Sequence, residues 1–433
     1  MQVTLSRSVT FGTVRAIASK SVAHRLLICA AFADAPSVIR CEESNEDINA
    51  TVNCLCALGA TITRDDPFFN VSPIKEFNKK ALLPCNESGS TLRFLVPICA
   101  AIGGEFTFDM KGKLPQRPLS PLKELLEENG VTFSKVADGK LTITGKLNNS
   151  DFKIAGNVSS QFITGLLFAL TFSNKNATLT VTNKLESAPY VDITLDALAL
   201  FGVKIEKSGN LYRIPQIAKL SSPKEISVEG DWSNAAFPLA LGIIGKRPIT
   251  VSNLSLTSSQ GDKKIIDVLT LFGGEIAHND SSFTASPSKI HSIELDASDI
   301  PDLVPIIATV AAVADGKTVI RGAARLKIKE SDRLIAISTV LSTLGASITP
   351  TDDGLIIEGT ASLRGGKVSS FGDHRIAMCA AIASAVSTDD VVIDGAEAVN
   401  KSYPLFWKDI CSLGMKITEK HIFKNIDIWR ITR

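Results

Sequence analysis

Six segments of the chain are apolar on every side rather than along one face. They are SKSVAHRLLICAAFA, SGSTLRFLVPICAAIG, SSQFITGLLFALTF, WSNAAFPLALGIIG, IPDLVPIIATVAAVA and DHRIAMCAAIASAV, and each opens on polar residues. A helix without a polar face must be surrounded by protein, so six buried helices are predicted. A second set of segments reads LCALGATI, LLEENGVTF, LALFGVKI, LTLFGGEI, LSTLGASI and ICSLGMKI. Here an amphipathic helix ends, a glycine follows and a β-branched strand begins. Those glycines, at 59, 130, 202, 273, 345 and 414, predict left-handed caps, a conformation that glycine adopts without a Cβ clash.

Both landmarks recur about every 70 residues, which makes the chain six copies of one unit. That period exceeds a solenoid repeat and leaves room for two helices and several strands. With 433 residues the chain is too long for one ordinary core. Three units around three buried helices would make one domain. A break near Glu229–Asp231 then predicts two similar α/β domains. A further alternation of apolar and polar residues from Val3 to Val14 predicts a strand.

The starts of buried helices are also chemically loaded, because unpaired N–H groups and a partial positive charge suit phosphate or carboxylate. If the helices of each domain point the same way, both domains aim positive ends into the space between them. An anion-binding cleft between domains is the consequence.

Charge narrows the function classes. Forty-six basic side chains against 45 acidic ones leave +1, without the basic excess of a protein that binds nucleic acid through phosphates. No Asp or Glu precedes Asp34, while Arg7, Arg15, Lys20 and Arg25 do, which has the look of a targeting leader. The strand pattern and a chemical motif beginning by Ser19 favour a folded start instead. The longest apolar runs, such as Phe162 to Phe172, are too short to span a bilayer. Cysteines 29, 41, 54, 56, 85, 99, 379 and 411 show no metal-ligand spacing and fit reduced, structural thiols. Histidines 24, 278, 291, 374 and 421 are scattered, so no metal is expected. A cytoplasmic monomer that needs no membrane or nucleic-acid partner is the resulting expectation.

The helix starts carry the candidate chemistry. SKSVAHR puts Lys20, Ser21 and Arg25 together, with Arg25 on the face of Ser21 and running directly into a buried helix. A cap with solvated cations is the ordinary alternative. NESGSTLRF has Ser-Gly-Ser ahead of a helix, either a cap or a phosphate-type loop. SSQF adds two hydroxyls and an amide, and LPQRPL holds Arg117 between prolines. KIKESDRL gathers Lys329, Glu330 and Arg333 within one turn, a spacing that usually means a surface ion pair. FGDHRIAM and NKSYP contribute Arg375 and Lys401. In DIPD, Asp302 is either a helix cap or a base. Together these residues suit substrates that carry phosphates and carboxylates.

From Thr13 to Pro404, in order, SKSVAHR, SGSTLR, QRPL, SSQF, SAPYVDIT, IPDL, KESDRL, DHRIAM and NKSYP resemble motifs of the 3-phosphoshikimate 1-carboxyvinyltransferase (EPSP synthase) family. The resemblance implies an α/β fold of two domains, each of three βαβαββ repeats around buried helices, an inside-out barrel. The chain would cross between them twice, so that residues 18–230 form one domain and 1–17 with 231–433 the other. It implies transfer of the enolpyruvyl group of phosphoenolpyruvate to the 5-hydroxyl of shikimate 3-phosphate, through a tetrahedral adduct that expels phosphate. Lys20, Gly89, Arg117, Gln161, Arg333, Arg375 and Lys401 would hold phosphoenolpyruvate. Ser21 and Arg25 would hold the shikimate ring and carboxylate. Ser159, Ser160, Ser187 and Lys329 would take its phosphate end, with Lys20, Gln161 and Asp302 also touching this substrate. Asp302 would accept the hydroxyl proton, and Glu330 and Lys20 would move protons at the enolpyruvyl carbon. Two proton-transfer groups and a cationic clamp suffice for that chemistry, without metal or cofactor.

The sequence departs from the family pattern in places. Glu87 and Ser88 stand where many relatives have Asn-Ala, and Phe94 follows Arg93 where Pro is common. Arg325 replaces an Asn that touches shikimate in some members, which leaves it outside the expected site. The alternative within the fold, a transferase acting on UDP-N-acetylglucosamine, carries a reactive Cys on the loop that here reads KLPQRPL. Cations from both halves are expected to repel across an empty cleft and to be neutralised by ligands.

Overall fold

The computed structural model of the protein describes residues 1–420; His421 lies outside the described residues. The six apolar segments fold as the helices Lys20–Ala31, Gly89–Ile102, Ser160–Phe172, Trp232–Ile244, Val304–Ala311 and His374–Ser384. Their polar openings act locally before they act chemically. Ser88, Ser159, Asp231 and Asp373 each accept a hydrogen bond from a backbone N–H of the following first turn. The six repeat glycines all have positive φ, from +83° to +117°, and each ends an amphipathic helix.

Every unit builds one four-stranded sheet. In the second unit, Lys80–Asn86 leads into a buried helix and pairs in parallel with Gly104–Met110, which pairs in turn with the hairpin Lys140–Gly145 and Val131–Phe133. Parallel strands cannot be joined by a tight turn, so the buried helix is the crossover. The third and fifth units repeat this arrangement within their own residues. The other three borrow a strand. Glu225–Ser227 pairs with Ser37–Arg40 in the first sheet, Gly12–Arg15 with Ile249–Ser252 in the fourth, and Gln2–Ser6 with Val391–Asp394 in the sixth.

The alternation from Val3 to Val14 therefore does not make one strand. It divides into Gln2–Ser6 and Gly12–Arg15, which lie in different sheets. Alternation fixes which residues face inward, but it does not fix the sheet that receives them. Buried apolar residues form two clusters. One runs from Ala18 to Val228, and the other joins Val3–Ile17 to Trp232–Met415. Cys29, Cys41, Cys54, Cys85, Cys99 and Cys379 are buried, and burial pushes the Cys41 and Cys379 thiols up to about 12. Such thiols are inert at neutral pH. Among the described residues no helix is long and apolar enough to cross a membrane.

The second and third buried helices touch almost backbone to backbone at Gly165. A Cβ there would lie 2.4 Å from the Arg93 carbonyl oxygen and 2.6 Å from Pro97 Cγ. Gly165→Ala is expected to destabilise the protein by about 1–3 kcal/mol, the usual cost of overpacking. Gly366→Ala, whose nearest neighbour would be 3.6 Å away, should change stability far less. Urea denaturation of both variants checks the difference, and equal midpoints would show that the helix pair can separate freely.

Candidate active site

The starts of all six buried helices line one cavity. Lys20 and Ser21, Gly89 and Ser90, Ser160 and Gln161, Ser233 and Asn234, Asp302, and finally His374 and Arg375 come from successive units. Arg25, Arg117, Ser159, Ser187, Lys329, Glu330 and Arg333 complete the set expected on that wall. Lys401 lies apart from it. It lines a second cavity of about 160 Å³ that shares Arg117 and Glu330 with the first.

Most cations of the site already have partners. Lys20 Nζ lies 2.8 Å from Asp47 Oδ2, Lys329 is 3.5 Å from Asp302, and Lys401 is 3.3 Å from Glu87. Arg117 and Glu330 approach to 4.0 Å. Arg333 is almost wholly buried and meets three carboxylates: Asp302 at 2.8 Å, Glu330 at 2.9 Å and Asp373 at 2.8 Å. Arg375 bonds the Asp302 backbone carbonyl at 3.0 Å, its side chain at 3.3 Å and Ser233 Oγ at 2.6 Å. The expected repulsion across an empty cleft is thus absorbed by protein carboxylates. Incoming anions must compete with them.

Two of the guanidinium groups lining this cavity, Arg25 and Arg93, have no carboxylate within ion-pair distance among the described residues. Arg25 donates to Thr194 Oγ1 at 2.8 Å and to the Ser21 and Tyr190 carbonyls at 2.6 and 2.8 Å. Arg93 donates weakly to Gln161 Oε1 and the Pro118 carbonyl, both at 3.3 Å. Burial pulls each down to about 9, and at Arg93 the neighbouring Arg117 adds to the effect. An anion beside either would relieve an uncompensated buried charge.

The carboxylates are perturbed the other way. Burial would raise Asp302, yet Lys329, Arg375 and Arg333 outweigh it and hold the carboxyl well below its usual range. Burial is likewise outweighed at Glu330 by Arg333, Arg117 and Lys401. At Lys20 burial lowers the pKa, but Asp47 more than restores it and keeps the ammonium charged. His374 is driven far down by burial and by Lys20, Arg375 and Arg333, so its ring is neutral.

Several local readings change. Asp302 is no helix cap: it sits in the 3-10 turn Pro301–Leu303, and no cap bond from its side chain is formed. Lys329 and Glu330 precede the helix Arg333–Thr343 instead of lying in its first turn, and the Glu330–Arg333 pair is interior rather than superficial. Gly89 already belongs to its helix, which Ser88 caps. Arg117 follows a 3-10 turn and is nearly buried rather than solvated. Arg325, set aside on sequence grounds, lines the cavity, pairs with Glu186 and donates to Ser187 Oγ at 3.0 Å. Ser187 itself has φ +54°, unusual for a residue with a side chain.

Sequence reasoning missed Arg93, Asp47, Tyr190, Asp231, Asp262 and Asp373. Arg93, Tyr190 and Asp373 lie inside the motifs SGSTLR, SAPYVDIT and DHRIAM, and Asp231 opens a repeat helix, so those four were within reach. Asp47 and Asp262 carried no local signal.

Solved structures place the fold among the enolpyruvyl transferases. An EPSP synthase from Acinetobacter baumannii superposes with a TM-score of 0.81 at 23% identity, covering 96% of this chain and 100% of that one. The enolpyruvyl transferase NikO from Streptomyces tendae gives 0.77 at 18%, covering 96% and 98%. The sequence profile described as EPSP synthase (3-phosphoshikimate 1-carboxyvinyltransferase) matches residues 7–410. A Clostridium kluyveri protein named 3-phosphoshikimate 1-carboxyvinyltransferase is 43% identical over 418 residues, 95% of this chain and 97% of its own length. One of the same name from Clostridium acetobutylicum is 42% identical over 416 residues, 94% and 96% of the two chains. The chain belongs to the EPSP synthase family.

Removing Arg333 would leave three acidic groups crowded together, Asp373 wholly buried. Arg333→Met is expected to cost about 3–5 kcal/mol, as for breaking a buried pair. Asp302 and Glu330 have depressed pKa values, so their contribution is fully present above the ordinary carboxylate range and is lost progressively as pH falls below it toward the depressed folded-state values. The wild-type advantage should therefore shrink below about pH 4. Urea melts at pH 7 and pH 3.5 test this, and a pH-independent difference would count against the clamp.

Proposed function

We propose that this chain transfers the enolpyruvyl group of phosphoenolpyruvate to the 5-hydroxyl of shikimate 3-phosphate and releases phosphate. The observation that carries the chemistry is that one guanidinium, Arg333, holds both Asp302 and Glu330. Two carboxylates on one fork flank a common point, one able to take a proton and the other to give one. The residues of 18–230 and those of 1–17 with 231–433 act as two bodies around that point. The two apolar clusters support this division.

Arg117, Arg333, Arg375, Lys401, Lys20, Gln161 and the backbone at Gly89 hold phosphoenolpyruvate. Arg25 takes the shikimate carboxylate beside Ser21. Ser159, Ser160, Ser187 and Lys329 take its phosphate, and Arg325 joins them through its bond to Ser187. Substrate anions draw these cations away from the protein carboxylates, and the proton affinity of Asp302 and Glu330 rises. Asp302 then accepts the hydroxyl proton as that oxygen attacks the enol carbon, while Glu330, assisted by Lys20, protonates the neighbouring methylene. In the second half the methyl group returns a proton to Glu330 as the bond to phosphate breaks. Holding both substrates in one closed site supplies orientation as well as charge.

The cavity is complete within one chain, which supports action as a monomer, and the same reading puts that action in the cytoplasm. The defining assay is phosphate release from phosphoenolpyruvate with shikimate 3-phosphate. Release with UDP-N-acetylglucosamine instead would overturn this reading, although relatives at 43% and 42% identity carry the shikimate name.

Two outcomes follow from the proton roles. Asp302→Asn preserves shape but cannot accept a proton, so kcat should fall roughly 10²- to 10⁴-fold with binding retained, and the melting temperature should drop as the ion pairs to Arg333, Arg375 and Lys329 are lost. Near-normal turnover would remove Asp302 from the mechanism. Formation of the complex with both substrates should also take up protons, because anions relieve the cationic pressure on Glu330 and Asp302. Calorimetry in buffers of differing ionisation enthalpy reads this directly, and a buffer-independent heat would contradict it.

A further inference from the structure

Behind Asp302 lies a second carboxylate that the mechanism above does not use. Asp262 is 3% exposed and opens the 3-10 turn Gly261–Lys264 after Gln260 and Gly261. The Tyr190 hydroxyl lies 3.3 Å from Asp262 Oδ2 and also 3.3 Å from Asp302 Oδ2. A phenol has one proton to donate, so it satisfies one of these contacts and leaves the other without hydrogen. Asp262 Oδ1 is buried and makes no hydrogen bond of good geometry, the Ser233 hydroxyl being the neighbour able to donate to this carboxyl. Beside it is a cavity of about 10 Å³, walled in part by Ser21, Tyr190, Asp231 and Ser233. That is the room needed for the centre of one water molecule.

We propose that Asp262 shares a proton with Asp302 through the Tyr190 hydroxyl, and that this chain stores the proton taken from the acceptor substrate. The inference rests on Asp302 being the acceptor's base. With both carboxylates ionised, the row Asp302–Tyr190–Asp262 is one proton short of being fully hydrogen-bonded. The reaction supplies that proton. The acceptor O–H bond breaks and an Asp302 O–H bond forms. Asp302 then passes its proton to the Tyr190 oxygen as the Tyr190 proton moves to Asp262. No electron pair leaves the chain. The reverse shift returns the proton, which departs on the released phosphate.

The electrostatics drive the proton inward. Burial first, and then the charge of Asp302, push Asp262 up to about 6, with Asp231 adding to the rise and Arg375 and Ser233 opposing it. Asp302 is held far lower by its cations. Asp262 is the better resting place, and Asp302 is returned to its ionised form while the adduct exists.

Asp262→Asn keeps an oxygen for Tyr190 but cannot take a proton. The expected result is a kcat loss of roughly 10- to 100-fold, KM values for both substrates within about two-fold, and a displaced acidic limb in the kcat–pH profile. Tyr190→Phe with Asp262→Asn should lose no more than the worse single variant, since both cut one chain. Multiplying losses, or an unchanged kcat and pH profile in Asp262→Asn, would overturn the proposal. Infrared spectroscopy of the wild type gives a reading that does not depend on any variant folding. A protonated-carboxyl band should grow as pH falls through about 6, and its absence is equally fatal. A wild type that turns over without these signatures rejects Asp262 alone. One inactive with both substrates rejects the proposed reaction and this relay with it.

Discussion

Arg333 enters its helix with the guanidinium almost wholly buried, and Asp302, Glu330 and Asp373 close on it from three directions. Neither the cation nor the acids would be tolerated there alone, because an isolated buried charge costs far more than a paired one. The pairing fixes the loop before the helix Arg333–Thr343, the turn ahead of Val304–Ala311 and the cap of His374–Ser384 relative to one another. Asp373 also accepts from Ser331 Oγ and the Arg375 backbone N–H. One charge cluster thus sets the geometry of the wall on which Asp302 and Glu330 sit.

The opposite wall is set by close packing. Gly165 brings the second and third buried helices within backbone contact, which positions Arg93, Gly89 and Gln161 at their starts. At Gly89 a Cβ would meet Arg93 Nη1 at 2.6 Å and Arg117 Nη1 at 2.7 Å. The two guanidinium groups therefore crowd the space over that residue. This is why an anion-binding surface can form there without a dedicated loop: helix N-termini supply the donors, and the absent side chain admits the cations.

A site so rich in cations avoids self-repulsion by holding its own counterions. Asp47, Glu87, Asp302, Glu330 and Asp373 neutralise the cations of the site from within the protein. Binding is then an exchange of anions rather than neutralisation of a bare patch. The same exchange couples occupancy to proton affinity, since a carboxylate released by its cation becomes a better base. Glu87 bears most directly on this point, because it occupies Lys401.

The sequence by itself determined everything that depends on neighbours close along the chain. Six buried helices, six left-handed glycine caps and the anion-favouring helix starts were legible because helical periodicity and backbone preference act over a few residues. The residues expected at the site came from motifs at those starts and in the loops between them, and all but Lys401 line the same cavity. Tertiary structure alone decided which sheet takes each half of the Val3–Val14 stretch, because alternation names a face and not a partner. It also decided that Asp302 is bound by cations instead of capping a helix, and that Arg325 turns toward Ser187. Asp47, Glu87, Asp262 and Asp373 find their partners across the fold, where no periodicity records the pairing. Coulomb attraction and burial act through space, so the ion pairs of this site exist only once the chain has folded around them.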